Sequence, residues 1–242
     1  MTEVVFDEQK VMEDRYVLPY NWIRKSYSRG WRQKNGLWAI ASKLSGPLEG
    51  KVVLDVGCGD GWYTAKMVTH AAKTIGVDYS DKAIDFARII LPKAEFHAAS
   101  MVEMPVPQKS VDIAFCFQVI EHIPLPDLPA AIGGLARVLK DDGVLIISVP
   151  STLRKRSTAH FQHFTPESLA ETLSPHFEII EMVGQEDRTW VLPLIEKFIE
   201  NRLWIVPPIG KRFGKGMFLR YWNTTSAEKG QNIMALCRKR AN

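Results

Sequence analysis

Three glycines at alternate positions, Gly57, Gly59 and Gly61, lie between Val53 and Thr64, with an aspartate two residues ahead of the first, Asp55. Glycine lets a backbone approach a ligand closely and take positive φ, and a helix start presents free N–H groups. The apolar run Val52-Val53-Leu54 before the turn suits a buried parallel strand, and Trp62-Tyr63-Thr64-Ala65 after it suits the start of a helix. Strand, turn and helix together make a cradle for a nucleoside-bearing ligand. Dinucleotides favour the spacing G-x-G-x-x-G. Here the spacing is G-x-G-x-G, and Asp55 would repel a pyrophosphate while suiting a cationic amine or sulfonium. A second acid, Asp78, ends the strand-like run Lys73-Thr74-Ile75-Gly76-Val77. At a strand tip a carboxylate can accept both hydroxyls of a ribose, and Tyr79 beside it can pack on an adenine. Taken alone, the turn also fits a dehydrogenase or a plain strand-to-helix connection.

The glycine turn resembles the first motif of class I S-adenosylmethionine-dependent methyltransferases. Behind it, in order, RVLKDDGVLIISVP at 137–150 resembles the RVLKPGG segment of that family. Gln118-Val119-Ile120-Glu121-His122, with its Glu-His pair after the fourth strand, resembles the subgroup that includes the ubiquinone-biosynthesis O-methyltransferases. The resemblance implies S-adenosyl-L-methionine as cofactor and S-adenosyl-L-homocysteine as product. It implies a cofactor site of Asp55, Gly57, Cys58, Gly59, Gly61, Asp78, Tyr79, Ser100, Met101 and Gln118. Ser100 stands where relatives carry an acid for the adenine amino group, and a neutral acceptor there is weaker than a charged one. Met101 would follow the ring with its backbone N–H, and Gln118 would face the methionine end. His122 is a possible general base.

The elements that must hold these residues alternate strand and helix. Strands are expected near 51–56, 73–78, 94–99, 111–117, 144–150, 177–183 and 231–240, with Lys140-Asp141-Asp142-Gly143 as a turn. The expected fold is α/β: a Rossmann-like, seven-stranded, mostly parallel sheet with helices on both faces and the last strand antiparallel. Residues 1–50 read as an N-terminal helical cap, with helices near 20–28 and 34–45. The cofactor core spans 51–184, an insert 185–230, and the final core strand 231–242. In the family resembled, such caps cover the cofactor, so Tyr16, Tyr20, Trp22 and Arg29 are lid residues, with Tyr20 and Trp22 assigned to substrate. Loops at the carboxyl ends of parallel strands line the crevice, which brings in Arg154 for substrate and His160 and His163 as further possible bases.

At 242 residues and 46% hydrophobic, the chain can bury one sizeable core. Cys58, Cys116 and Cys237 lie far apart without a CxxC pair, which argues against zinc or a disulfide framework. His160 and His163, three apart, have no third ligand near them in sequence, so no metal is expected. The acidic N-terminus lacks a continuous apolar region and no run is long enough to span a membrane, so a cytoplasmic protein is expected. Its net charge of +4 is uneven: ten Lys/Arg against three Glu fall in 192–242, leaving a net −3 for the rest. That region holds an apolar helical face over 195–206 and the basic-aromatic run Lys211 to Trp222. Peripheral contact at the inner membrane surface through 192–222 is one use for it. The implied reaction is O-methylation of a hydroxyl on a small or lipid-linked acceptor, such as a sugar, quinone precursor or natural product. The alternatives are an RNA or DNA methyltransferase using the basic region, and a non-catalytic binder of the cofactor. Nucleic acid is the weaker choice, because the Asn/Asp-Pro-Pro-aromatic motif of base-amine methylation is absent after the fourth strand. The acceptor and the oligomeric state are not legible in these residues.

Overall fold

Five residues, Val52–Val56, form β1, and the strands that carry the site are arranged on either side of it. A computed structural model of the chain describes residues 13, 16–23, 29–185 and 224–240, leaving out the side chains of Arg29 and Arg32. The expected basic-aromatic segment 192–222 and most of the 185–230 insert lie outside the described residues. So does the Arg29 side chain proposed for the lid.

In chain order the elements are α1 (Tyr20–Ile23), α2 (Arg29–Leu44), β1, α3 (Thr64–Met67), β2 (Lys73–Asp78), α4 (Asp81–Ile90), β3 (Glu95–Ala98) and β4 (Val111–Phe117). A single 3₁₀ turn (Ile120–His122) follows, then α5 (Leu128–Val138), β5 (Leu139–Pro150), α6 (Pro166–Leu173), β6 (Phe177–Gln185), β7 (Thr224–Thr225) and β8 (Asn232–Lys239). The sheet runs β3-β2-β1-β4-β5-β8-β6-β7. The first five strands are mutually parallel, and β8 inserts antiparallel between β5 and β6. Eight strands are present rather than the seven expected. The eighth is the two-residue β7, which pairs antiparallel with the end of β6 and is too short to leave a periodic signal.

Two other boundaries differ from expectation. Lys140–Gly143 is not a free turn but belongs to the twelve-residue β5. Its pairing with β4 shifts between Val111 and Ile113, so the polar residues are absorbed as an irregularity at the strand start. The cap helix expected at 34–45 begins earlier, at Arg29.

Strand residues alternate between two apolar layers, as the period of two requires. Leu54, Ala114 and Cys116 face a layer closed by Ala131, Ile132 and Leu135 of α5. Val53, Ile113, Phe115 and Phe117 face the opposite layer, where Leu37, Ile40 and Ala41 of α2 cover them. Helix starts are chosen by local chemistry. Ser80 Oγ accepts the Ala83 amide to cap α4, and Thr165 and Ser168 form a capping box ahead of α6, with Pro166 in its first turn. Burial on both faces holds β1, β2, β4 and β5 rigid, and their carboxyl ends open at one edge of the sheet.

Candidate functional site

Gly57, Gly59 and Gly61 all take positive φ, at +69°, +55° and +82°. The Gly57 and Cys58 amides donate to the Val77 carbonyl at 2.7 and 3.1 Å, tying the turn to β2. The space above it is tight. A Cβ on Gly57 would stand 2.2 Å from Val119 Cγ2, and one on Gly59 2.4 Å from the Tyr16 hydroxyl. Asp55 lies behind the turn. It is 1% exposed, and its Oδ2 accepts the Thr64 hydroxyl at 2.6 Å, bracing β1 against α3. Burial pushes its carboxyl up to about 7 against that hydrogen bond. Asp55 and Gly61 thus shape the turn from beneath, and neither lines the adjoining cavity.

That cavity, of about 540 Å³, has Gly57, Cys58 and Gly59 on one wall and Asp78 and Tyr79 on the next. Asp78 Oδ2 accepts the Gly59 amide at 2.8 Å and Oδ1 accepts the Ser80 amide at 3.0 Å. Burial raises its pKa above the ordinary value, and those two amides oppose the rise. Ser100 and Met101 also face the cavity, and Ser100 Oγ accepts the Val102 amide at 3.2 Å. Gln118, just past β4, takes a left-handed φ of +59°, a conformation that costs a non-glycine residue about 1–3 kcal/mol. Three hydrogen bonds among the described residues hold it. Its amide donates to the Ser148 carbonyl (2.8 Å), and its Nε2 to Ser148 Oγ (3.1 Å). Arg154 Nη1 reaches Gln118 Oε1 (3.1 Å) and also Asn232 Oδ1 (3.0 Å). The strand-four tip is therefore fastened to β5 and β8 through side chains.

The cap closes over the turn through a contact that no sequence pattern announced. Asn21 donates from its backbone N to Asp60 Oδ2 (3.0 Å) and from Nδ2 to Oδ1 (2.8 Å). Trp22 Nε1 donates to the Asp60 carbonyl at 2.7 Å. Trp22 is partly exposed and off the cavity wall, whereas Tyr16 and Tyr20 line the cavity with ring centroids 5.1 Å apart. Lys34 of α2 lines it as well, although a lone lysine on a helix carries no spacing signal in the sequence.

On the opposite wall the 3₁₀ turn presents Glu121 and His122, and the loop after β5 presents His160. His122 Nδ1 lies 2.7 Å from the Ala159 carbonyl, and His160 Nδ1 lies 2.8 Å from His163 Nε2. The His122 and His160 rings meet edge to face with centroids 4.7 Å apart. His163 stands behind His160 rather than on the cavity wall, and burial lowers its pKa. Glu121 is 1% exposed, and burial pushes its carboxyl up to about 8. The fold thus brings Glu121, His122 and His160 together, although the two histidines are separated by 37 intervening residues.

Residues 54–147 match the family model described as a methyltransferase domain. Two curated relatives are about one-third identical to this chain over the stretches that align. One is named a "Probable S-adenosylmethionine-dependent methyltransferase" of Mycobacterium tuberculosis, 34% identical over 114 residues, or 47% of this chain and 41% of the relative. The other is the ubiquinone biosynthesis O-methyltransferase of Aromatoleum aromaticum, 33% identical over 106 residues, or 42% of this chain and 44% of the relative. The chain spans under half the length of these curated relatives. Among solved structures, the N-methyltransferase NodS of Bradyrhizobium japonicum, in complex with S-adenosyl-L-homocysteine, superposes with a TM-score of 0.64 at 15% identity. That superposition covers 97% of this chain and 99% of NodS, a likeness of fold. The glycine turn and the strand order therefore belong to one known architecture, the Rossmann-like sheet of the methyltransferase fold, within which residues 54–147 match the methyltransferase-domain model.

Proposed function

We propose that the protein is an S-adenosylmethionine-dependent methyltransferase acting on a hydroxyl of a small or lipid-linked molecule. The observation that carries this reading is convergence on one cavity. Backbone at Gly57–Gly59, the Asp78 carboxylate, Ser100, Met101 and Gln118 come from four strand ends and face the same space. The residues fit the donor: a Cβ would close the cradle at Gly57 or Gly59, and a cavity of about 540 Å³ lies within the usual range for a ligand of this size. The donor, when bound, supplies an electrophilic methyl group on a sulfonium.

The chain's own part is to bind, orient and exclude water. The glycine turn admits the donor backbone-close, Asp78 offers charged acceptors for ribose hydroxyls, and Gln118 fixes the wall at the methionine end. Tyr16 and Tyr20 close the cavity from the cap side, which strengthens every polar contact inside it. Holding the acceptor in line and about 3 Å from the methyl carbon converts binding into rate. A hydroxyl acceptor must also lose its proton, and His122 and His160 are on the cavity wall where that acceptor would sit. The Aromatoleum relative named as an O-methyltransferase supports oxygen as the acceptor atom.

The test is calorimetric titration with S-adenosyl-L-homocysteine, followed by an acceptor screen using methyl-labelled donor and phenolic, sugar and lipid-linked hydroxyl compounds. Saturable product binding and label transfer to one hydroxyl class are expected. Absence of binding heat, with no label transferred, would remove the reading.

A further inference from the structure

Facing the donor-binding wall, Glu121, His122 and His160 place one ligand atom each so that all three lie within 4.8 Å of one another. We propose that these three side chains bind a divalent transition cation whose remaining coordination positions open onto the cavity, where an oxygen of the methyl acceptor would sit.

Glu121 is the first reason. Its carboxylate is almost wholly buried, and Oε2 has no hydrogen-bond partner among the described residues. A buried carboxylate oxygen is costly unless something compensates it, and a cation would do so.

The histidine tautomers are the second. The Ala159 carbonyl can only accept, so His122 carries its hydrogen on Nδ1 and its lone pair on Nε2. His160 Nδ1 lies 2.8 Å from His163 Nε2, and in the tautomer that suits a metal ligand His160 donates from Nδ1 to that nitrogen. His160 then also bears its lone pair on Nε2. A backbone carbonyl on the far nitrogen, as at His122, is a usual means of orienting a metal-bound histidine, and His163 holds the far nitrogen of His160.

The donor set decides the class of ion. Two imidazoles and one carboxylate suit Zn²⁺, Mn²⁺ or Fe²⁺ better than Mg²⁺ or Ca²⁺, which prefer oxygen. Metal bonds of about 2.0–2.1 Å set tetrahedral ligand atoms about 3.4 Å apart. The observed spacing, up to 4.8 Å, exceeds that value by about 1.4 Å at most. The pair His160 and His163, read along the chain, lacked a third ligand; the fold supplies Glu121 and His122 and moves His163 to a supporting position.

The role of the site in catalysis rests on the methyl-transfer reading, while cation binding does not. An acceptor hydroxyl oriented there releases its proton to water. Its oxygen lone pair forms the new O–CH₃ bond as the C–S bond breaks with both electrons on sulfur. His122 and His160 would then be ligands rather than bases.

Cobalt(II) titration of chelator-treated protein tests the proposal through its d–d absorption. Wild type should develop bands that saturate at one equivalent per chain and collapse on adding zinc. Glu121→Gln and His160→Ala should each weaken the cobalt affinity by about tenfold or more. No bands at millimolar cobalt, or identical titrations in wild type and Glu121→Gln, would overturn it; the near-isosteric Gln variant decides the matter if His160→Ala does not fold. Calorimetry with S-adenosyl-L-homocysteine on the same wild-type preparation separates the two readings. Product binding without cobalt binding removes the cation site alone, and cobalt binding without product binding removes the donor reading alone.

Discussion

Asp78 accepts the backbone amide of Gly59 at 2.8 Å, joining the tip of β2 to a turn 19 positions earlier in the chain. Its other oxygen accepts the Ser80 amide at 3.0 Å, so one carboxylate positions both the glycine turn and the start of α4. Asp78 also lines the cavity. Replacing Asp78 by Asn puts an amide donor against one of those backbone N–H groups, so the Asn variant should behave like the Ala variant. Both should weaken S-adenosyl-L-homocysteine binding by about 1–3 kcal/mol, about five- to 150-fold. Calorimetry checks this, and a dissociation constant left within twofold in both variants would refute the assignment.

Gly57 combines a left-handed backbone with the closest side-chain approach in the turn. Gly57→Ala adds conformational strain and drives a methyl into Val119, together about 2–4 kcal/mol of destabilisation. Val119 sits beside Gln118, so product affinity should fall as well. Urea unfolding and product titration measure the two effects; an unchanged midpoint would show that the turn relaxes freely.

Asp55 gives a pH signature. Its carboxyl rises from an ordinary 3.8 to about 7 on burial, so between those values the native state holds a proton that the unfolded chain has lost. Its contribution to stability is fully present below about pH 4 and is lost as pH rises through about 7. The wild-type stability relative to Asp55→Asn should therefore fall across that window, with a slope of up to about 1.4 kcal/mol per pH unit. Urea midpoints of both proteins measured across that window provide the check, and a constant difference would contradict it.

Asn21 clamps the cap onto Asp60 with a backbone and a side-chain hydrogen bond. Asn21→Ala removes the side-chain bond and leaves Asp60 Oδ1 short of a donor in a buried place, a loss of about 1–3 kcal/mol. Because Tyr16 and Tyr20 border the cavity next to this clamp, the product should dissociate faster from the variant. Stopped-flow displacement would show it, and an unaltered off-rate would mean the cap does not gate the cavity.

The alternation of apolar strands with helical runs, the Gly57–Gly61 spacing and the 137–150 segment were legible without coordinates, because periodicity and turn chemistry act between neighbours in sequence. They yielded the α/β architecture, the antiparallel final strand and the approximate place of the cavity. The same locality explains the errors of detail. The two residues of β7 are too few for a period, and Lys140–Gly143 looks like a turn until β4 captures it as the start of β5.

What the chain could not declare along its length are relationships between distant residues. Asp55 carries the right charge for a sulfonium, yet burial and Thr64 turn it into a brace beneath the turn. Asn21 shows no motif and becomes the cap's anchor. Glu121 and His122 meet His160 only because the parallel sheet delivers the ends of β4 and β5 to one edge. Spacing records which side chains a helix or strand can align; which strand ends share a cavity, and which charges are buried there, is settled by packing of the whole sheet.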